Sequence, residues 1–137
     1  MLWKDENDMR KLFISLRIVV VIACLWFAGM LPAGATDIWV DHWASENIDV
    51  YIMDDTLSYG TTSNSKRFKI STKMVQNGHL KEVVTWNFSK YKSDMWRYQT
   101  NTMDRSHYTV VCPRNRVFEY GMNQIGWSYH IRDYWYY

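Results

Sequence analysis

Hydrophobic and polar residues alternate along most of the chain after residue 46. The segment 47–57 (NIDVYIMDDTL) places Ile48, Val50 and Ile52 on one side, with mostly polar residues between them. A period of two is typical of a strand with one buried face. An opening strand is predicted over residues 37–43 (DIWVDHW), and residues 58–65 (SYGTTSNS) read as a turn.

The strongest local signal is a hairpin around Asn77-Gly78. Residues 67–75 (RFKISTKMV) and 80–91 (LKEVVTWNFSKY) alternate on either side of it. Asn-Gly tolerates positive φ at both central positions of a type I′ turn, whose twist matches that of the strands. The pattern therefore predicts a long hairpin with one apolar face and one polar, basic face.

Further strands are predicted over residues 95–103, 107–112 and 117–120, with a turn over residues 104–106. No segment after residue 35 shows a clear helical stripe, although short helices near residues 41–47 and 121–125 are compatible with the sequence. We expect a mainly β fold: a single antiparallel sheet of about five to seven strands, with room for one short helix as an α+β variant.

The N-terminal 35 residues form a separate region. Lys and Arg residues precede an apolar run from Ile18, Pro32 interrupts it, and Ala33-Gly34-Ala35 ends it with small residues. This order is typical of a secretory signal peptide cleaved after Ala35. Two alternatives stay open: an uncleaved anchor, with Arg17 extending the apolar run, and a lipid-modified Cys24. We therefore predict a leader over 1–35, an antiparallel β domain over 36–137, and an exported protein that is periplasmic, on the cell surface or secreted.

Composition sets limits on the β domain. The chain has two cysteines, Cys24 and Cys112, so removal of the leader would leave no internal disulfide. Cys112 is predicted to be a small buried residue, with an intermolecular bridge as the alternative. Aromatic residues make up 17% of the chain, and their burial must hold the fold together.

Charge divides the β domain into two parts. Residues 36–65 contain acids and no Lys or Arg, whereas residues 66–137 are strongly basic. Neighbouring strands of opposite charge could neutralise each other, or a basic face could meet an acidic partner. Acidic residues of the first part fit turns better than a metal site, because their spacing matches neither calcium nor zinc motifs.

No catalytic motif is recognisable, and Cys112 lies in an apolar strand, away from the exposed setting typical of a nucleophilic thiol. We expect a protein without enzymatic activity, cofactor or metal, and nucleic acid is not expected as a partner of an exported chain. The aromatic C-terminus and the basic hairpin are the candidate contact surface, since exposed Tyr and Trp are common in recognition surfaces. The C-terminus could instead pack as a strand on its own sheet. The candidate residues are Trp127, Tyr129, Tyr134, Trp135, Tyr136, Lys69, Lys73 and Lys81.

Four short segments carry a family resemblance. Residues 38–40 (IWV), 51–57 (YIMDDTL), 67–69 (RFK) and 112–116 (CPRNR) make the chain resemble the bacterial surface-adhesin protein E family. The likeness spans about residues 39–120. The chain departs from that pattern in its longer middle hairpin, its aromatic tail, and Met53 where the family often has Asp. The resemblance implies an antiparallel sheet with a helix, dimerisation and binding of host or matrix proteins, and it assigns no binding residue.

Two functions are consistent with these patterns. The first is a small exported, adhesin-like binding module that contacts a protein or matrix surface. Such a module could form a homodimer, and it would contact a membrane only through an uncleaved leader. The second is a periplasmic small-ligand or carbohydrate-binding protein, with an aromatic pocket of Trp86, Trp96 and Trp127.

Overall fold

The structure, a computed structural model, describes residues 36–104 and 109–137. All of the described residues belong to one compact unit. The predicted leader with Cys24 lies outside the described residues, as do Arg105 and Ser106 of the predicted turn and His107 and Tyr108 of the strand predicted after it.

The described residues form a mainly β fold, as predicted. Six antiparallel strands, β1 to β6, lie in one sheet in the order of the sequence. A ten-residue helix, α1, follows β6, and a two-stranded ribbon of β7 and β8 ends the chain. The elements are β1 Asp37–Trp43, β2 Ile48–Thr61, β3 Ser65–Gln76, β4 His79–Tyr91, β5 Arg97–Thr100, β6 Val110–Val111, α1 Arg116–Ile125, β7 Ile131–Arg132 and β8 Trp135–Tyr136.

The central hairpin of β3 and β4 confirms the strongest prediction. Gln76 pairs with His79, so only Asn77 and Gly78 connect the strands. Their φ angles are 52° and 78°, both in the left-handed region that a type I′ turn requires. The alternation predicted for this hairpin is also confirmed, because Phe68, Ile70, Thr72 and Met74 are all buried.

Register assigns every strand residue to one of two faces, because directly paired residues project to the same side of a sheet. Phe68 pairs with Phe88, and Ile70 with Trp86, on the face that packs against α1. We call this the inner face. Lys69 and Lys73 alternate with those residues and lie on the opposite, outer face.

Helix α1 corrects the strand predicted over residues 117–120. Asn115 caps its start, since the side-chain Oδ1 accepts hydrogen bonds from the backbone N–H groups of Val117 and Phe118. Gly126 ends it with φ 81°. The apolar stripe of Val117, Phe118, Gly121 and Met122 is buried. This stripe spans less than two turns and includes a glycine, so the helical period of apolar residues is too short to recognise in the sequence.

Two strand boundaries also differ from prediction. Strand β2 continues to Thr61 and β3 begins at Ser65, so the turn predicted over residues 58–65 is confined to residues 62–64. Backbone pairing extends these polar strand ends: residues 58–61 of β2 pair with residues 66–69 of β3, which also pair with β4 on their other side. The strand predicted over residues 95–103 is shorter, from Arg97 to Thr100.

The core lies between the inner face and α1 and is dominated by aromatic rings. Phe118 of the helix packs on Phe68, Phe88 and Trp96, with ring centroids 5.3–5.9 Å apart. Tyr136 stacks on Phe118 from the other side at 4.2 Å. Aromatic burial of this kind removes about 150–250 Å² of surface per ring from water. The inner face is therefore structural over much of its length.

Cys112 is fully buried, which confirms the prediction made from its apolar neighbours. Its backbone N–H donates to the carbonyl of Trp96 at 2.9 Å. Burial raises the pKa of the thiol to about 12. The intermolecular bridge is therefore not available to Cys112 in the folded protein.

Candidate functional site

Two neighbouring rows of paired residues cross four strands on the outer face. The pairing of β2, β3, β4 and β5 puts each row nearly perpendicular to the strands. One row consists of Gly60, Arg67, Ser89 and Arg97, and the other of Ser58, Lys69, Asn87 and Gln99. The pairing thus brings residues of β2, β3, β4 and β5 that are distant in sequence next to each other.

Side-chain size turns these rows into a groove. Gly60 has no side chain, and a Cβ added there would meet nothing within 4 Å. Ser58 and Ser89 are short, so the longer side chains of Arg67 and Lys69 enclose a depression with a volume of about 480 Å³. We call this depression the outer-face groove. Its lining is Ser58, Tyr59, Gly60, Arg67, Phe68, Lys69, Asn87, Phe88, Ser89, Gln99 and Thr109.

The charged side chains of the outer-face groove are all positive. Arg67 and Lys69 are exposed and, within the part of the chain that the structure describes, neither forms an ion pair. The described lining contains no carboxylate. Hydroxyl and amide groups of Ser58, Asn87 and Gln99 supply neutral hydrogen-bonding partners. The groove therefore suits a ligand with negative charge and several hydroxyl groups.

The opposite end of the outer face has a different character. Lys73 forms an ion pair with Asp37, with 2.6 Å between Nζ and Oδ2. Asp49 Oδ1 accepts hydrogen bonds from Trp39 Nε1 at 3.0 Å and from His42 Nδ1 at 2.9 Å. These two bonds hold the pKa of Asp49 below its usual value. Acidic β1 and β2 residues thus neutralise this end, in line with one of the two interpretations of the charge pattern.

The three predicted hairpin lysines consequently have separate surroundings. Lys69 lines the outer-face groove, and Lys73 is engaged by Asp37. Lys81 is exposed at the point where the pairing of β3 and β4 skips a residue. Of the three, Lys69 alone has a place in the groove.

The predicted aromatic C-terminal residues pack mainly on the helix side. Trp127 contacts Tyr59, with centroids 5.6 Å apart, and Tyr129 contacts Phe118 at 5.5 Å. They therefore lie away from Lys69 and Lys73, and the two halves of the predicted surface do not form one patch.

The end of the chain divides into buried and exposed rings. Tyr134 is 58% exposed, whereas Trp135 is half-buried and forms an isolated bridge with Pro113. Tyr136 corrects the prediction of an exposed contact residue, because its side chain is fully buried. Its hydroxyl donates to Glu119 Oε1 at 2.7 Å and accepts from the backbone N–H of Asn115 at 3.0 Å. Tyr136 is therefore a packing residue that fixes the start of α1.

The aromatic pocket of the second predicted function is not formed. Trp86 and Trp96 are 6% and 1% exposed, and both belong to the core. Trp86 Nε1 is satisfied internally by Thr72 Oγ1 at 3.0 Å. Their rings stabilise the sheet and leave little surface for a ligand.

Sequence reasoning missed most of the outer-face groove. It identified Lys69 but not Arg67, Asn87 or Gln99, which are ordinary polar residues of an alternating pattern. Counting outward from the Asn77-Gly78 turn alone would pair Lys69 with Trp86 and Arg67 with Phe88. The bulge between Met74 and Val75 shifts the register by one residue, to Lys69 with Asn87 and Arg67 with Ser89. The signal that could have found this shift is the alternation of both strands, since it puts Phe68 opposite Phe88 and Ile70 opposite Trp86.

Within residues 36–104 and 109–137, no group of three or more His, Cys, Asp or Glu side chains is placed to hold a metal ion. Within the same ranges, no helix has the length and apolar character needed to cross a bilayer.

Comparison of the chain with protein-family models, curated proteins and solved structures found no match.

Proposed function

We propose that this chain is an exported, non-enzymatic binding module whose outer-face groove takes an acidic polysaccharide. The observation that carries the proposal is the groove itself: two unpaired cations, Arg67 and Lys69, flank a row of neutral hydrogen-bonding groups with no carboxylate in the described lining. Unlike the ion-paired end of the same face, this end leaves its positive charge for a partner.

The lining matches the chemistry of a charged sugar chain. The planar guanidinium of Arg67 can donate two parallel hydrogen bonds to a carboxylate, and Lys69 adds a mobile point charge. Asn87, Gln99 and Ser58 can exchange hydrogen bonds with ring hydroxyls.

The open form of the groove also favours a polymer over a small molecule. It lies on a sheet surface and crosses four strands, so a chain of sugars can enter and leave it at both ends. Small-ligand sites are usually concave and bury most of the ligand. The export of the protein rests on the leader pattern of residues 1–35 and is part of this proposal.

The test is binding of a soluble polyuronate to the full-length chain and to a double charge-reversal variant, Arg67→Glu with Lys69→Glu. We expect the variant to lose at least about tenfold in affinity, since attraction becomes repulsion at both positions. Affinity is measured by calorimetry at a fixed ionic strength.

Lys81→Glu is the matched control for each groove reversal made singly, Arg67→Glu or Lys69→Glu, because all three change the net charge by the same amount. It reverses a charge on the same hairpin but outside the groove. We expect it to retain wild-type affinity, and a neutral glucan should bind neither protein. Equal losses in the Lys81 and groove variants would reduce the effect to net charge and contradict the proposal.

The C-terminal ribbon supports a second candidate, a contact with a protein surface. Ile131 is 40% exposed and Tyr134 58% exposed, and Tyr134 lies in the β7–β8 turn with φ 76°. A Tyr held at a rigid turn can anchor an interface at low entropic cost. Replacement of Tyr134 by Ser should abolish capture of a protein partner while leaving polyuronate binding unchanged.

A further inference from the structure

Three lysines converge at the inner-face end of the sheet, behind the outer-face groove. Lys66 of β3 pairs directly with Lys90 of β4, and Lys92 follows at the end of that strand. Together with the β2–β3 turn they enclose a pocket with a volume of about 200 Å³. The lining is Thr62, Ser63, Asn64, Ser65, Lys66, Lys90, Lys92, Trp96 and Ser128.

This arrangement is electrostatically unfavourable without a counterion. Like charges directly opposite each other on two strands destabilise a sheet. Burial and the neighbouring Lys66 both lower the pKa of the half-buried Lys90. Among the described residues, none of the three lysines forms an ion pair. Asp94 partly offsets the charge of Lys90, but its carboxylate is also engaged by Arg97 at 3.5 Å.

Local contacts hold the lysines in this arrangement. The Nζ atom of Lys66 lies 5.3 Å from the ring centroid of Trp127, and that of Lys92 lies 5.2 Å from Tyr91. These distances are within the range of a cation–π interaction. The backbone N–H of Lys92 donates to the carbonyl of Asn64 at 2.7 Å, which ties the end of β4 to the β2–β3 turn. The pocket is therefore formed before any ligand arrives.

We propose that this three-lysine pocket binds a doubly charged tetrahedral oxyanion, as a free phosphate or as the terminal group of a phosphomonoester. Lys66, Lys90 and Lys92 supply the charge, and hydroxyls of Ser63 and Ser128 are available as additional donors. The volume accommodates one such group with some water. The site lies on the opposite face from the proposed polysaccharide groove, so it is a second binding activity independent of the first.

The experiment titrates the full-length chain with two probes, inorganic phosphate and glucose 6-phosphate, in chloride buffer at constant ionic strength. Wild-type protein is compared with Lys90→Met, which removes the half-buried charge and keeps an unbranched side chain. The exposed lysine of the same strand provides the control variant, Lys81→Met. We expect saturable binding that is weakened about tenfold by Lys90→Met and is unchanged by Lys81→Met.

The two probes distinguish the sources of the anion. Tighter binding of inorganic phosphate assigns the site to the free anion, and equal or tighter binding of glucose 6-phosphate assigns it to a phosphomonoester; each outcome supports the pocket. Removing one of two opposed charges should not impair folding, and thermal unfolding in chloride buffer checks this. Lys66→Met is the second variant and should weaken phosphate binding as Lys90→Met does.

Three results would overturn the proposal: no saturable binding of either probe, equal weakening by the Lys81 control, or binding unaffected by both pocket variants. Polyuronate affinity of Lys90→Met separates this site from the groove. It should stay within about twofold of wild type, because the charge it removes lies on the other face of the sheet.

Discussion

At the residue scale, the helix sits on the sheet because one position lacks a side chain. A Cβ at Gly121 would lie 2.3 Å from Cε2 of Phe68, which is far inside van der Waals contact. Phe68 cannot easily yield, since it also stacks on Phe88 at 4.7 Å and contacts Trp96. Gly121 therefore sets how closely α1 approaches β3.

Gly121→Ala should lower the free energy of unfolding by about 1–3 kcal/mol through overpacking. This loss opposes the gain of up to about 1 kcal/mol that Ala normally brings to a helix interior. Gly60→Ala is the control, because its new Cβ meets no atom within 4 Å. Urea denaturation measures both variants, and a Gly121 variant as stable as wild type would contradict the packing described for α1.

Cys112 gives a second prediction at this scale. Its pKa of about 12 in the folded protein, against 9.0 for an unperturbed thiol, means that the neutral form is favoured by folding. This contribution to stability is complete below pH 9 and is lost as the pH rises from 9 towards 12.

At pH 8 an aromatic disulfide reagent should modify Cys112 in the folded protein only as fast as local or global unfolding exposes the thiol. In the unfolded chain the same thiol should react within seconds. Absorbance of the released thiolate is followed with and without denaturant. Cys24 must be changed to Ser in this experiment so that one thiol is counted. Rapid reaction of the native protein would show that Cys112 is accessible.

At the element scale, α1 depends on a side-chain cap more than on its own short stripe. Asn115 Oδ1 satisfies two N–H groups of the first turn, at 2.8 and 3.1 Å from Val117 and Phe118. A helix of ten residues is marginal by itself in water. Its formation thus needs the cap, the Gly126 terminus and the aromatic packing together.

Asn115→Ala should reduce the free energy of unfolding by about 1 kcal/mol, whereas Asn115→Ser should retain most of it because Ser is also a good N-cap. Chemical denaturation followed by tryptophan fluorescence compares them. Equal stability of the Ala and Ser variants would show that the cap contributes nothing to the fold.

Elements were predictable from sequence where local chemistry decides them. The Asn77-Gly78 turn specifies its own conformation, and the apolar alternation on both sides of it specifies the faces, so β3 and β4 could be predicted closely, although the bulge between Met74 and Val75 could not. Helix α1 could be predicted only in part: a short helix near residues 121–125 was compatible with the sequence, but residues 117–120 were predicted as a strand, because the helix is stabilised by Phe118 packing against residues from three strands. Tyr136 was mistaken for a surface residue for the same reason: its burial depends on Phe118 and Glu119, which only the fold brings to it.

At the scale of the whole molecule, the two faces of the sheet differ: the inner face packs against the core, and the outer face carries the groove proposed for binding. The inner face is covered over much of its length by α1 and by aromatic rings, while the outer face carries a neutralised end and a cationic end. Composition predicted the basic excess after residue 65, but not its division into the outer-face groove and the three-lysine pocket. That division arises because Lys66 and Arg67 are adjacent in sequence and project to opposite sides of β3.

The most direct test of the proposed function is a map of amide chemical shifts in the full-length chain, recorded while a uronic-acid oligosaccharide is added. We expect saturable shifts at Ser58, Gly60, Arg67, Lys69, Asn87 and Gln99, with little change in residues 131–136. Shifts confined to the C-terminal ribbon, or no saturable shift in the groove, would contradict the assignment of the outer-face groove as the binding site.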